Sequence, residues 1–219
     1  MKFLYCFFVL ACLIGCGDSQ AESSKVVNMK IGDVGFSIPS KYILPGFPAT
    51  VVANSGLDKS EGVNLKIPYQ DLGLESENGG SLDSNLIVML SPLSAFVHER
   101  GVTLDAYNAW HGDELYADRI VEKDKSTGLY RVGSEAAYPL FWHYFSSPPN
   151  GEEKAEEAWV ASCSEATSGK PICSKVIAFK GTQSDLSTAG NNINRLADLE
   201  AAYRELLSSW VTNLQGSAG

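Results

Sequence analysis

Histidine and carboxylate side chains stand close together in two stretches of the sequence, where a metal ligand or a general base would need them. His98 precedes Glu99, and His111 is followed by Asp113 and Glu114. Neither stretch has the H-E-x-x-H spacing that places two imidazoles on one helix face for zinc. The sequence also has no G-x-S-x-G motif for a serine hydrolase and no G-x-x-x-x-G-K-S/T loop for a nucleotide. We therefore expect no enzyme activity, no metal site and no cofactor.

Cysteine is the other residue type that could carry chemistry, and Cys16 ends the segment Leu13-Ile14-Gly15-Cys16. A mostly apolar stretch, residues 3–14, precedes it and follows Lys2. This stretch has the length of a signal-peptide core and is shorter than the roughly 20 residues that a membrane-spanning helix needs. The segment resembles the lipobox of bacterial lipoproteins.

The lipobox resemblance implies the location and the anchor of the protein. Residues 1–15 would be a cleaved signal peptide, and Cys16 would carry a diacylglyceryl group that holds the protein to a membrane. Gly17 stands where lipoproteins of the inner membrane often have Asp, which favours the outer membrane. The expected location is therefore the periplasm, with a lipid anchor in the outer membrane.

Composition predicts one globular domain beyond this leader. Residues 16–25 have the composition of a flexible, lipidated tether. Residues 26–214 are long enough and apolar enough for a single folded domain. Residues 215–219 are expected to be a disordered tail.

Cys163 and Cys173 are the two cysteines that remain within this domain. A polar, turn-rich loop separates them, and strand-like segments flank them on both sides. Their spacing is neither C-x-x-C nor a zinc pattern. In an oxidising compartment we expect them to form a structural disulfide.

Alternation of apolar and polar residues predicts several β-strands. The clearest are 26–31 and 34–38, which flank Gly32-Asp33 as in a hairpin. The apolar stretch 86–90 does not alternate, which is typical of a strand buried on both faces. Residues 71–85 have the composition of an exposed loop. Further strands are predicted at 63–67, 116–122, 129–132, 140–145, 158–162 and 173–179.

Two helices complete the predicted fold. Thr103 is a suitable N-cap for a short helix that runs to about Leu115. The C-terminal helix is amphipathic, and packing it on the strands gives an α+β fold: an antiparallel β-sheet covered by this helix, with one shorter helix inserted. Its apolar side consists of Leu196, Leu199, Tyr203, Leu206, Leu207, Trp210 and Leu214.

The charge of the chain limits its possible partners. It has 17 Lys and Arg against 26 Asp and Glu, a formal net charge of −9. Nucleic acid is therefore excluded as a partner, because binding phosphates needs a basic surface. A cationic protein suits the electrostatic field of such an acidic chain better than nucleic acid does.

The stretch 138–145 is rich in aromatic residues and is the candidate for a protein interface. Trp142 and Tyr144 alternate with His143, so they face away from the core if only one face of the sheet is buried. Exposed rings of this kind would anchor a protein partner, whereas a sheet covered on both faces would make them core residues. The acidic residues that follow predict a rim that attracts a cationic partner: Glu152, Glu153, Glu156 and Glu157.

Residues 35–42, with the sequence Gly-Phe-Ser-Ile-Pro-Ser-Lys-Tyr, resemble an opening found in small proteobacterial lipoproteins. That group shares a late cysteine pair and a closing amphipathic helix, and some of its members resemble immunity proteins against type VI secretion effectors, often lipases. The resemblance implies an outer-membrane lipoprotein that binds and neutralises a secreted effector. A structural or assembly lipoprotein of the envelope and a small-ligand carrier remain alternatives.

The lipobox interpretation can be tested by replacing Cys16 with Ser. We expect a folded protein that no longer sediments with membranes, because no acyl chain can be attached. Membrane fractionation followed by immunoblotting measures this. Unchanged sedimentation with the membrane fraction would contradict the lipoprotein assignment.

Overall fold

The computed structural model describes residues 25–45, 59–60, 62–75, 81–94, 97, 102–149, 152–166 and 169–212. Within them the chain forms two β-sheets and four α-helices, so the predicted α+β class is confirmed. Both predicted helices are present, the longer one near the C-terminus. Cys16, Leu214, the predicted tether up to residue 24 and the predicted tail lie outside the described residues.

The helices and strands have the following bounds. The α-helices are α1 (Ser81–Ser84), α2 (Leu104–His111), α3 (Ala155–Ala158) and α4 (Leu196–Trp210). The strands are β1 (Val26–Ile31), β2 (Val34–Pro39), β3 (Lys59–Ser60), β4 (Val63–Pro68), β5 (Asn85–Pro92), β6 (Ile120–Lys123), β7 (Tyr130–Gly133), β8 (Phe141–Phe145), β9 (Trp159–Glu165), β10 (Pro171–Phe179), β11 (Thr182–Ala189) and β12 (Val211–Thr212).

The larger sheet has eight antiparallel strands in the order β4-β5-β11-β10-β9-β8-β7-β6. The smaller sheet has the order β12-β2-β1-β3 and begins with the predicted hairpin, in which Ile31 pairs with Val34 across Gly32-Asp33. Gly32 has a φ of 59°, which a residue without a Cβ adopts at little cost. Because Pro39 and Pro68 end their strands, the chain turns away at both points.

The main core lies between one face of the large sheet and a layer formed by α4 and the small sheet. Leu65, Val88 and Leu186 project from the large sheet and are fully buried. Phe36 of β2 and Tyr203 of α4 pack against the same cluster. Burial of large apolar side chains contributes about 1.5–3 kcal/mol each, so this interface is the main source of stability.

A second core lies at the β6–β9 end of the sheet, where α2 packs. Trp110 of α2 contacts Phe145 of β8 with ring centroids 5.0 Å apart. Val132 and Trp159 belong to the same cluster. Since successive strand residues point to opposite faces, Phe145 and His143 lie on one face of β8 and Trp142 and Tyr144 on the other. In this region the large sheet is therefore covered on both sides.

The structure differs from the sequence predictions in several elements. Strand β11 was not predicted, and β5 alternates, with Val88 buried and Met89 46% exposed, so it is not buried on both faces. Helix α2 ends at His111 and leaves Leu115 77% exposed. Within 71–85, predicted as a loop, a 3₁₀ turn ends at Leu72 and α1 occupies Ser81–Ser84.

The disulfide between Cys163 and Cys173 is confirmed. The two residues are directly opposite each other on β9 and β10, with Cα atoms 4.1 Å apart. Both are 1% exposed and belong to the main core. The bond therefore joins neighbouring strands in the middle of the large sheet.

Replacement of both Cys163 and Cys173 by Ala should lower the free energy of unfolding by about 3 kcal/mol without changing the fold. The loop-entropy model gives this magnitude for a closed loop of this length. Urea denaturation of the oxidised parent and the double variant measures the difference, with circular dichroism to compare their folds. Equal denaturation midpoints would show that the bond does not contribute to stability.

Candidate partner-binding surface

Helix α2 is a short helix whose two ends are both fixed by local interactions. Thr103 Oγ1 accepts a hydrogen bond from the Ala106 N–H at 3.2 Å and so acts as the predicted N-cap. At the other end Gly112 has a φ of 73°, and its N–H donates to the Asn108 carbonyl at 2.8 Å. The helix buries Ala106, Ala109 and Trp110, so its remaining side faces solvent.

A hydrogen-bond cluster around a buried histidine attaches the first turn of α2 to the large sheet. We call it the His143 cluster: Asp105, Tyr116, His143 and Ser162. His143 is fully buried, and its Nε2 lies 3.1 Å from Asp105 Oδ2 and 2.9 Å from the Tyr116 hydroxyl. The Tyr116 hydroxyl donates to Asp105 Oδ2 at 3.0 Å, and Ser162 Oγ lies 2.9 Å from His143 Nδ1.

The interactions within this cluster shift the pKa values of Asp105 and Tyr116. The hydrogen bond with His143 is the main reason that the pKa of Asp105 lies below its usual range, and the Tyr116 hydroxyl adds to the effect. Burial, and then the negative charge of Asp105, raise the pKa of Tyr116. Both shifts favour a charged Asp105 beside a neutral phenol.

The cluster brings an acid, an imidazole and a hydroxyl together, as a nucleophilic site would. Ser162 lies within β9, which pairs with β8 and β10 on either side, so neighbouring N–H groups belong to the sheet ladder and cannot form an oxyanion hole. Within the described residues no three His, Cys, Asp or Glu side chains are placed to hold a metal ion. The geometry therefore supports a role in positioning α2.

Three grooves surround α2 and the turn 112–118, and together they form what we call the α2 surface. The α2–β10 groove has a volume of about 370 Å³ and is lined by Ser94, Val97, Thr103, Leu104, Asp105, Asn108, Glu114, Val176 and Gln183. A turn groove of about 320 Å³ is lined by Glu114, Leu115, Ala117, Asp118, Glu135 and Ala136. A rim groove of about 320 Å³ is lined by Tyr107, Trp110, His111, Glu153, Lys154, Ala155 and Glu156.

The α2 surface is acidic and contains exposed apolar side chains. Leu104 is 47% exposed and Leu115 is 77% exposed. Glu114 lines two of the three grooves and has a φ of 54°, a conformation that costs a non-glycine residue about 1 kcal/mol or more. Carboxylates line every groove, so the surface suits a cationic partner with apolar side chains.

The predicted acidic rim belongs to this surface. Glu153 and Glu156 line the rim groove together with rings of α2, and Ser147 Oγ donates to Glu153 Oε2 at 2.7 Å. Glu152 and Glu157 are exposed neighbours in the same segment. Their role in binding a partner remains a prediction.

The structure makes Trp142 and Tyr144 core residues, which is the second of the two arrangements left open for them, so they are not exposed anchors for a partner. Each is 6% exposed, and both belong to the main core, on the face of β8 opposite α2. The Arg131 guanidinium covers Trp142 at 4.1 Å from the ring centroid, and the Tyr144 hydroxyl donates to Asp124 Oδ2 at 2.5 Å. The structure therefore does not bring these rings together with the acidic rim.

The hydrogen bond to Tyr144 also affects Asp124. Partial burial alone would raise the pKa of Asp124, but hydrogen bonds from Tyr144, Ser126 and Thr127 outweigh it and lower the pKa to about 2. Asp124 therefore remains charged while it accepts the hydrogen bond from the Tyr144 hydroxyl. The polar end of this ring is already satisfied without a partner.

The comparisons with known proteins concern the fold. No protein-family model matches the chain, and no curated protein matches it significantly. Smlt3025, an immunity protein of the Stenotrophomonas maltophilia type IV secretion system, is similar in structure, with a TM-score of 0.51 and 12% identity over 86% of this chain and 94% of that one. Cyanobacterial PsbP (CyanoP) from Synechocystis sp. PCC 6803 matches with a TM-score of 0.24 and 15% identity over 91% of this chain and 98% of that one. None of the helices in the described residues is long and apolar enough to cross a membrane.

Asp105→Asn tests the electrostatic role of the His143 cluster. Because the folded pKa of Asp105 lies below the reference value of 3.8, its charge stabilises the fold fully above that pH and stops doing so as the pH falls through the folded pKa. The variant should lose about 0.5–1 kcal/mol at pH 7, a small amount because Asp105 is 52% exposed, and the difference from the parent should shrink in acid. Urea denaturation at pH 7, 5 and 3 measures this, with Asp118→Asn as the exposed control. A difference that is constant with pH would contradict it.

Proposed function

We propose that this chain is a lipid-anchored periplasmic immunity protein that binds and neutralises a secreted effector through the α2 surface. The observation that carries the proposal is the combination of exposed Leu104 and Leu115 with carboxylates in all three surrounding grooves. Apolar anchors inside a charged rim are typical of protein-binding sites. The fold that the chain shares with Smlt3025 supports the proposal.

The negative net charge of the protein supports the proposal that the effector is cationic. The formal net charge is −9, and the acidic residues of the α2 surface face solvent around the apolar anchors. Such a field increases the rate at which a cationic protein is captured. A rapid capture suits an inhibitor that must act before its target does.

The lipid anchor on Cys16 supplies the second part of the proposed mechanism. Attachment to the outer membrane would keep the domain near the surface that a lipase-like effector attacks, and would raise the effective concentration of the inhibitor there. Residues 26–214 then act as one domain on a short tether. The sequence resemblance implies delivery of the effector by type VI secretion, whereas Smlt3025 belongs to a type IV system, and the identity of the captured effector decides between them.

Capture and inhibition of an effector test this function. The full-length protein, purified from membranes in detergent, is used as bait against secreted and envelope fractions, and the captured protein is then expressed in the periplasm of a sensitive cell. We expect one stoichiometric protein whose toxicity the parent chain suppresses. Leu115→Arg should weaken its binding by roughly tenfold or more, because a charge would replace an apolar anchor. Val26→Arg, at an exposed apolar position on β1, should not change it.

Three results would contradict the proposal. Recovery of several envelope proteins or of peptidoglycan would indicate a structural lipoprotein. A small molecule that remains bound in native mass spectrometry would indicate a carrier. Equal binding by the parent chain and Leu115→Arg would show that the effector binds elsewhere on the protein.

A further inference from the structure

The α2–β10 groove is lined by aliphatic side chains and by carboxylates. Val97, Leu104 and Val176 provide aliphatic surface, and the carboxylates of Asp105 and Glu114 line the same groove. Among the described residues that line it there is no Lys, Arg or His. A ligand that matches this lining has a hydrocarbon stem and a positively charged end.

Asp105 is held in place before any ligand binds. Its Oδ2 is fixed by the Tyr116 hydroxyl and His143 Nε2, while the side chain as a whole remains 52% exposed. Glu114 is an exposed residue at the start of the 3₁₀ turn Glu114–Tyr116, where its backbone has a φ of 54°. Asp105 therefore loses little side-chain entropy when a cation binds.

A third carboxylate lies beside the groove on the same face of the sheet. Asp185 is directly opposite Val176 in the pairing of β10 and β11, and lies two residues from Gln183, which also lines the groove. One Asp185 carboxylate oxygen is buried and has no hydrogen-bond partner among the described residues. Burial raises the pKa of Asp185, which a nearby positive charge would reverse.

We propose that the α2–β10 groove binds an arginine side chain of the protein partner, with its aliphatic stem on Leu104 and Val176 and its guanidinium against Asp105 and Glu114. Charge complementarity is the basis of this assignment. Arginine fits better than lysine, because a planar fork of donors can reach carboxylates from two different elements at once. The inference rests on the proposed function and names the chemistry by which the partner is recognised.

The isolated side chain is the first probe of the groove. Acetyl-arginine-amide is titrated into the full-length protein in detergent while NMR follows the backbone amides of Asp105, Glu114 and Val176. Acetyl-citrulline-amide has the same shape without the charge and is the control ligand. We expect saturable shifts with arginine that disappear at high salt, and none with citrulline. Equal shifts with both ligands, or none with either, would overturn the proposal.

Two variants of Glu114 separate binding from folding. Glu114→Gln should weaken arginine binding by roughly two- to fivefold, while Glu135→Gln, the same charge change in the turn groove, should leave it unchanged. Glu114→Gly should lose as much binding but keep or raise the melting temperature, because glycine adopts a positive φ without strain. Equal arginine binding by Glu114→Gln and Glu135→Gln would overturn the assignment to this groove.

The captured effector distinguishes failure of this inference from failure of the proposed function. If an effector is captured and neutralised but Glu114→Gln binds it as tightly as the parent chain does, the function stands and the groove assignment is wrong. If arginine binds as expected but no effector is captured, the groove recognises a cation and the immunity role is wrong. Replacement of each arginine of the effector by lysine identifies the residue that enters the groove.

Discussion

The buried hydroxyl groups of β11 impose the constraint on which the fold depends. Ser184 and Thr188 lie in the main core and are fully buried. Their partners come from other elements: the Tyr203 hydroxyl of α4 is 2.9 Å from Ser184 Oγ, and the Tyr69 hydroxyl is 2.6 Å from Thr188 Oγ1. An unpaired buried hydroxyl costs about 1–3 kcal/mol, so the Ser184–Tyr203 pair restricts the rotation and height of α4 above the sheet, and the Thr188–Tyr69 pair restricts the 3₁₀ turn Tyr69–Leu72. The apolar side of α4 provides the energy of packing, and the Ser184–Tyr203 pair selects its position.

The same hydroxyls explain which parts of the fold could be predicted from the sequence. The first hairpin and α4 were predictable because apolar residues mark their buried sides. Strand β11 was missed because its core face alternates through Thr182, Ser184 and Thr188, which resemble loop residues when their partners are unknown. The burial of Trp142 could not be predicted either, because elements distant in sequence determine whether the second face of a strand is buried or exposed.

The candidate site was predictable only in part, for a related reason. The acidic rim around Glu153 and the helix that begins after Thr103 are visible in the sequence. The contact between Asp105 and His143 joins residues 38 positions apart and has no local pattern. The sequence prediction placed the end of α2 too late, at about Leu115. The left-handed Gly112 ends the helix earlier, and Leu115 is exposed. A glycine followed by two acids and a leucine is the signal that could have indicated this turn.

The arrangement of the two sheets also determines how the protein would be presented at a membrane. β1, where the described chain starts, packs over the β4–β5 end of the large sheet, whereas α2 packs over β7 and β8. β5 and β8 are four strand spacings apart, about 19 Å. In the proposed lipoprotein, the tether would enter the domain at the start of β1, over the β4–β5 end of the large sheet. The strands that α2 covers lie toward the other end of that sheet, so the α2 surface would be separate from the point at which the tether enters the domain.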